Sequence, residues 1–260
     1  MIKRSFRYLT RTLLLLLALV AIPALMTACS LMKPTVHWSE ADRSSAGLAP
    51  QAEAVSEAVV LVYAARTFGW RGNFAVHTWV STKQADADHW QVHEVMGWRS
   101  PIVRSGPDLP DRRWYGAEPR LLAELRGAEA EAAIPNILNA VQTYPYPDIY
   151  EAWPGPNSNT FVAWLIRETP QLEVVLPNIA IGKDYPAPGA FNRTPSNSGY
   201  QASLLGYAGI ATSVQEGLEV NLLGLNFGLD PWHLGMKLPG FGQLSFRSPW
   251  PAGHHDGTSP

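Results

Sequence analysis

Ser158 stands in the stretch WPGPNSNTFVAWL (153–165), where a Pro-Gly-Pro stop runs into four small polar residues and then into a helical apolar pattern. A hydroxyl at a helix N-terminus lies beside free backbone N–H groups and the positive end of the helix dipole, where a developing oxyanion is stabilised. On this reading Ser158 is a nucleophile, the N–H groups at Asn159 and Thr160 are oxyanion donors, and Asn157 completes the cleft. The plainer alternative is an N-cap, in which Asn157 or Ser158 accepts a hydrogen bond from an orphan backbone N–H two or three residues on. One cap needs one residue, and here four polar residues follow one another.

A serine nucleophile needs a base. His77, in the middle of FAVHTWV, is the first candidate, and His93 in the next strand pattern is the second. With the intervening turn centred at Asp86, His77 falls opposite Val95, within two residues of His93, so both rings lie on one face. His77 is then the base and His93, or a nearby amide or carboxylate, its orienting partner. Zinc is a poorer reading of His89, His93 and Glu94. Strand positions four apart lie about 13 Å from each other at ~3.3 Å per residue, and the order HxxxHE is not the HExxH of a zinc protease. Gly182-Lys183 is no phosphate loop, because Pro177 stands where the first glycine belongs. Neither metal nor cofactor is expected.

These residues have to be positioned by short elements. The β-branched and aromatic runs at 58–67, 74–83 and 89–98, joined by turns, predict three strands of an antiparallel meander. Residues 118–126 and 128–141 have helical composition, the second interrupted by Pro135, which kinks it or marks its first turn. A helix over 158–168 carries Phe161, Trp164 and Leu165 on one side, and 200–212 with 218–229 reads as a closing hairpin. The expected fold class is α+β: an antiparallel sheet of about five strands packed against two or three helices. One globular domain over 55–247 follows a polar tether at 29–54 and precedes a disordered tail at 248–260.

Before the tether, Lys3, Arg4, Arg7 and Arg11 precede an uncharged apolar run from Leu13, the pattern of a bacterial export signal. It ends in Met26-Thr27-Ala28-Cys29, which resembles a lipobox, so residues 1–28 read as a lipoprotein signal peptide and Cys29 as the lipidated N-terminus. An uncleaved anchor over residues 12–32 is the alternative. Either way the bulk of the chain faces the periplasm on a bacterial membrane. Ser30, in place of the Asp of an inner-membrane retention signal, points to the outer one. Four basic residues leave with the leader, taking the net charge from −2 to about −6. A net-acidic domain without a basic stripe is not built for nucleic acid. Cys29 is the single cysteine, so no intramolecular disulfide, cysteine metal site or cysteine nucleophile serves the domain.

The order of His77, a second polar residue on the following strand, and then Asn157-Ser158-Asn159-Thr160-Phe161 at a helix start resembles the circularly permuted papain-like group. That group includes lecithin retinol acyltransferase and permuted relatives of the NlpC-type cell-wall peptidases. Its members carry cysteine where this chain has Ser158. The resemblance implies either a serine variant or a scaffold that has lost its chemistry. The segments RGNFAVHTW, YPYPDIYEAWPGPNSNTFVAWL, LPNIAIGKDY and EVNLLGLNFG are similar to an uncharacterised bacterial family, domain of unknown function 3750. The functional expectation is a membrane-tethered envelope lipoprotein acting as a non-catalytic binding or structural module for a cell-wall peptide or glycan. The alternative is a serine-dependent hydrolase or acyltransferase of amide or ester bonds in the envelope.

Overall fold

β1 (Val59–Arg66) reads VVLVYAAR, a run without polar alternation, and such a strand is stable only with both faces covered. The computed structural model, which describes Thr10, residues 36–186 and residues 188–251, supplies both covers. Apart from Thr10, residues 1–28, read as a signal peptide, lie outside the described residues, as do Cys29 and residues 252–260. β1 is flanked by β2 (Val76–Lys83) and β5 (Arg120–Arg126), and β3 (Gln91–Val95) and β4 (Val103–Pro107) extend the sheet beyond β2. The order is β4-β3-β2-β1-β5 and every pairing is antiparallel. On one face Val60, Val62, Val76, Val80 and Val95 meet the helices α1 (Gly127–Gln142) and α2 (Ser158–Glu168). On the other, Leu61, Tyr63, Trp79 and Val92 lie under Trp90, Trp114 and Ala52.

The α+β reading with a five-stranded antiparallel sheet and helices therefore holds, and the first three strands fall where the apolar runs put them. The other two strands come from elsewhere. Residues 118–126, read as a helix, form β5, because pairing with the second edge of β1 outweighs helix propensities of a few tenths of a kcal/mol per residue. β4 comes from the segment between 98 and 118, to which the sequence reading assigned no element. Pro135 does not mark the first turn of α1: it lies inside the helix, whose Ala133, Ile134, Ile137 and Ala140 are buried.

The 29–54 tether reading does not describe the end of that segment. Asp111 accepts hydrogen bonds from the Ser45 hydroxyl (2.8 Å) and from the Leu48 and Ala49 N–H groups, drawing residues 45–49 onto the 108–117 connection. At the other end Trp250, read as tail, is buried and donates its indole N–H to the Val175 carbonyl at 2.8 Å.

A second sheet, absent from the sequence reading apart from one hairpin, contains seven strands. They are β6 (Phe191–Arg193), β7 (Gly199–Leu204), β8 (Ala208–Ser213), β9 (Gly217–Leu222), β10 (Leu225–Asp230), β11 (Gly235–Leu238) and β12 (Gly242–Ser245), an antiparallel meander in chain order. Its burial is inverted. Gln201, Ser203, Glu219, Asn221, Asn226 and Lys237 point inward and are buried, while Tyr200, Leu204, Ile210, Leu218, Leu229 and Met236 are exposed. The inner face closes on the 176–186 loop. There Lys183 and Lys237 share the carboxylate of Glu219, and Asp184 accepts from Asn221 (2.8 Å) and Asn226 (2.7 Å). Among the described residues no helix is long and apolar enough to cross a membrane.

Replacing Asp111 by Ala should strand the Leu48 and Ala49 N–H groups and destabilise the fold by about 2 kcal/mol. Limited proteolysis should then cut within residues 43–50 well before any other site, whereas wild type resists there.

Candidate functional site

The mouth of α2 is built from the polar run, and nearly all of that run is spent on building it. Asn157 is the N-cap: its Oδ1 accepts from the N–H groups of Asn159 (2.9 Å) and Thr160 (3.4 Å). Thr160 completes a capping box, accepting from the Asn157 N–H (3.1 Å) and donating its hydroxyl to the Gly182 carbonyl (2.7 Å). The Asn159 amide donates to the carbonyls of Val76 (3.0 Å) and Ile181 (2.8 Å) and accepts from the Thr78 hydroxyl (2.9 Å). Asn157 also donates to Ile181 at 3.0 Å. Gly182 sits at φ +95°, and a Cβ there would lie 2.5 Å from the Asn157 amide, so only glycine lets the loop close on the cap. The two N–H groups expected to bind an oxyanion are thus occupied by the cap.

Ser158 is 4 % exposed, and among the described residues its hydroxyl makes no hydrogen bond. Its expected base is elsewhere. The β2–β3 register pairs Val80 with His93 and Ser81 with Val92, one residue away from the register that aligns His77 with Val95. Because side chains alternate, that single step turns His77 away from His93 and towards Glu94. Thr78, not His77, is the β2 residue that meets the helix mouth, so His77 and Ser158 lie on opposite faces of the sheet. The structure does not bring the expected nucleophile and base together.

His77 instead belongs to a charged cluster. Its Nε2–H donates to Glu94 at 3.1 Å, and its ring stacks on Trp114 with centroids 3.5 Å apart and planes 10° from parallel. Glu94 also accepts from Arg112 at 2.6 Å on each oxygen and from Arg104 at 3.2 Å. Asp108 binds Arg112 at 3.0 Å and also pairs with Arg104. Burial alone would raise the Glu94 carboxyl, but the His77 hydrogen bond and the Arg112 charge outweigh it and hold it down at about 2. Burial depresses His77 against the pull of Glu94, so the ring is neutral and its proton is engaged. The cluster fastens the 108–117 connection to the sheet; it leaves no free base facing a cleft.

His93 faces the helix side, but both ring nitrogens are used: Thr82 lies 2.9 Å from Nε2 and Ser105 2.8 Å from Nδ1. Burial pushes its pKa down to about 4. His89 is exposed and pairs with Asp88. Sequence reading passed over Arg104, Asp108, Arg112 and Trp114, which lie between the run at 89–98 and residues 118–126, where no element was assigned. The signal available was the Asp-Arg-Arg-Trp run, two cations and an aromatic ring in a segment with little else to bury. Among the described residues no group of three His, Cys, Asp or Glu side chains is arranged to hold a metal ion.

Two measurements check this geometry. Asn159→Ala, which takes a donor from the Val76 and Ile181 carbonyls and the nearer acceptor from the Thr78 hydroxyl, should cost about 2–4 kcal/mol, while Ser158→Ala should stay within about 0.5 kcal/mol of wild type in urea unfolding. The second is a pH profile. An unfolded histidine titrates near 6.5 and His93 at about 4, so its contribution is fully present above pH 6.5 and is lost as pH falls towards 4. That loss amounts to roughly 3 kcal/mol. His93→Gln should flatten the stability profile over that window.

Residues 57–185 match the family model described as Protein of unknown function (DUF3750), and no curated protein and no solved structure matches the chain. The matched span takes in the five-stranded sheet, both helices and the loop that carries Lys183, and it ends before the seven-stranded sheet, so EVNLLGLNFG falls outside it. Over residues 57–185, therefore, this chain belongs to the family described as Protein of unknown function (DUF3750).

Proposed function

We propose that this protein is a non-catalytic binding or structural module of the bacterial envelope, tethered to a membrane through Cys29. The observation that carries this reading is the use of the helix mouth: the Asn157 carboxamide occupies the donors that an oxyanion would need. The one histidine on the β2 strand is held by Glu94 and Trp114 on the far face of the sheet. On this reading the likeness to permuted papain-like proteins is that of a scaffold, a helix N-terminus docked on an antiparallel meander, with serine in the cysteine position and no base beside it. The tether rests on the basic and apolar leader and its Met-Thr-Ala-Cys ending, and the expected ligand is a cell-wall peptide or glycan.

One observation favours the serine hydrolase or acyltransferase instead: the Ser158 hydroxyl is the single side chain of the polar run without a hydrogen bond among the described residues. A fluorophosphonate probe decides between them. Wild type should remain unlabelled while folded, and labelling that disappears in Ser158→Ala would establish the hydrolase. Palmitate incorporation should vanish in Cys29→Ala; incorporation that persists removes the lipid tether.

A further inference from the structure

The seven-stranded sheet buries its polar side and exposes its apolar one, the reverse of what water selects. Eighteen of the 25 large apolar side chains exposed among the described residues fall between 191 and 246. They are aligned as well as numerous: the β7–β12 registers place Tyr200, Thr212, Leu218, Leu229, Met236 and Leu244 in one row across the sheet. A parallel row runs through Ile210, Val220 and Phe227. Monomers in water rarely expose a continuous patch beyond roughly 300–600 Å².

Charge placement selects the occupant. From residue 188 to 251 the acidic residues are Glu216, Glu219 and Asp230, and all three are buried on the inner side. The exposed cations, Arg193 and Arg247, lie on or just past the two edge strands. In a chain with a net negative charge, this face is cleared of anions and rimmed by guanidinium groups, which suits an apolar layer bordered by anionic headgroups. Strands of six residues reach about 20 Å, short of the 9–11 residues that cross a bilayer. The unpaired edges of β6 and β12 would also go unsatisfied in hydrocarbon. The sheet is therefore built to lie on a membrane and not to span it.

We infer that the outer face of the β6–β12 sheet docks flat on the lipid bilayer, its apolar side chains entering the headgroup–acyl boundary. This rests on the tethered reading: Cys29 and Val36 are seven residues apart, a reach of at most about 25 Å, so the domain is held against the surface it would dock on. Even a weak face is then occupied, because the tether makes docking intramolecular.

The test keeps Cys29, whose sulfur is a thioether once lipidated and does not react with maleimide, and adds one cysteine to the full chain: Val220→Cys or Leu229→Cys on the sheet face, or Glu118→Cys at an exposed site away from it, with the unsubstituted chain reporting any reaction at Cys29 itself. Disrupted bacterial membranes containing each variant are treated with a membrane-impermeant polyethylene-glycol maleimide, before and after detergent. In membranes the two sheet positions should react at least tenfold more slowly than Glu118→Cys, and in detergent all three should react alike. Equal rates in membranes overturn the inference. So does protection that survives detergent, with Val220→Cys disulfide cross-linking marking a second copy of the chain on this face. Should the protein appear in the soluble fraction, the tether alone has failed. Phosphatidylglycerol vesicles are then added to it, and Val220→Cys that stays reactive overturns the docking.

Discussion

The Asn159 carboxamide is the junction on which the rest of the molecule depends. It ties the first turn of α2 to the start of β2 through Val76 and Thr78, and to the 176–186 loop through Ile181. That loop carries Lys183 and Asp184, whose partners Glu219, Asn221 and Asn226 hold the second sheet in place. One buried amide with its donors and acceptor satisfied thus connects both sheets and a helix. Buried polar groups of this kind specify geometry because leaving any one unpaired costs more than making it gains.

A different constraint separates the two halves of the supposed catalytic pair. β2 is covered on both sides, so its alternate residues serve two independent interiors: Thr78 and Val80 face the helices, His77 and Trp79 face the aromatic layer. On the aromatic side, two arginines and a histidine converge on Glu94. Removing one member of such a buried group leaves uncompensated charge, which makes the cluster a fastening for the 108–117 connection.

The seven-stranded meander follows another logic. Its inner face is held by ion pairs and amides and not by apolar burial, so the usual driving force for folding a sheet onto a domain is turned outward. A surface with that distribution is stable when its exposed side meets something other than water, and the fold leaves it open on the side away from the 176–186 loop.

Much of the central architecture is legible in local pattern. β1, β2, β3, α1 and α2 each follow from apolar runs, turn residues or helical spacing, and the capping role of Asn157 is written in the polar run before Phe161. The strand identity of 120–126 was not legible, since Leu121, Leu122 and Ala123 suit a helix as well as a sheet and only the vacant edge of β1 decides. Nor was the inversion of the second sheet: the alternation in 217–222 marks a strand with two unlike faces, but it does not say which face turns inward. The sequence by itself determined which residue types stand at the helix mouth and on the strands. Whether His77 meets His93 or Glu94 turned on a single residue of register between β2 and β3, and that is settled by packing on both faces of a sheet, which no local segment encodes.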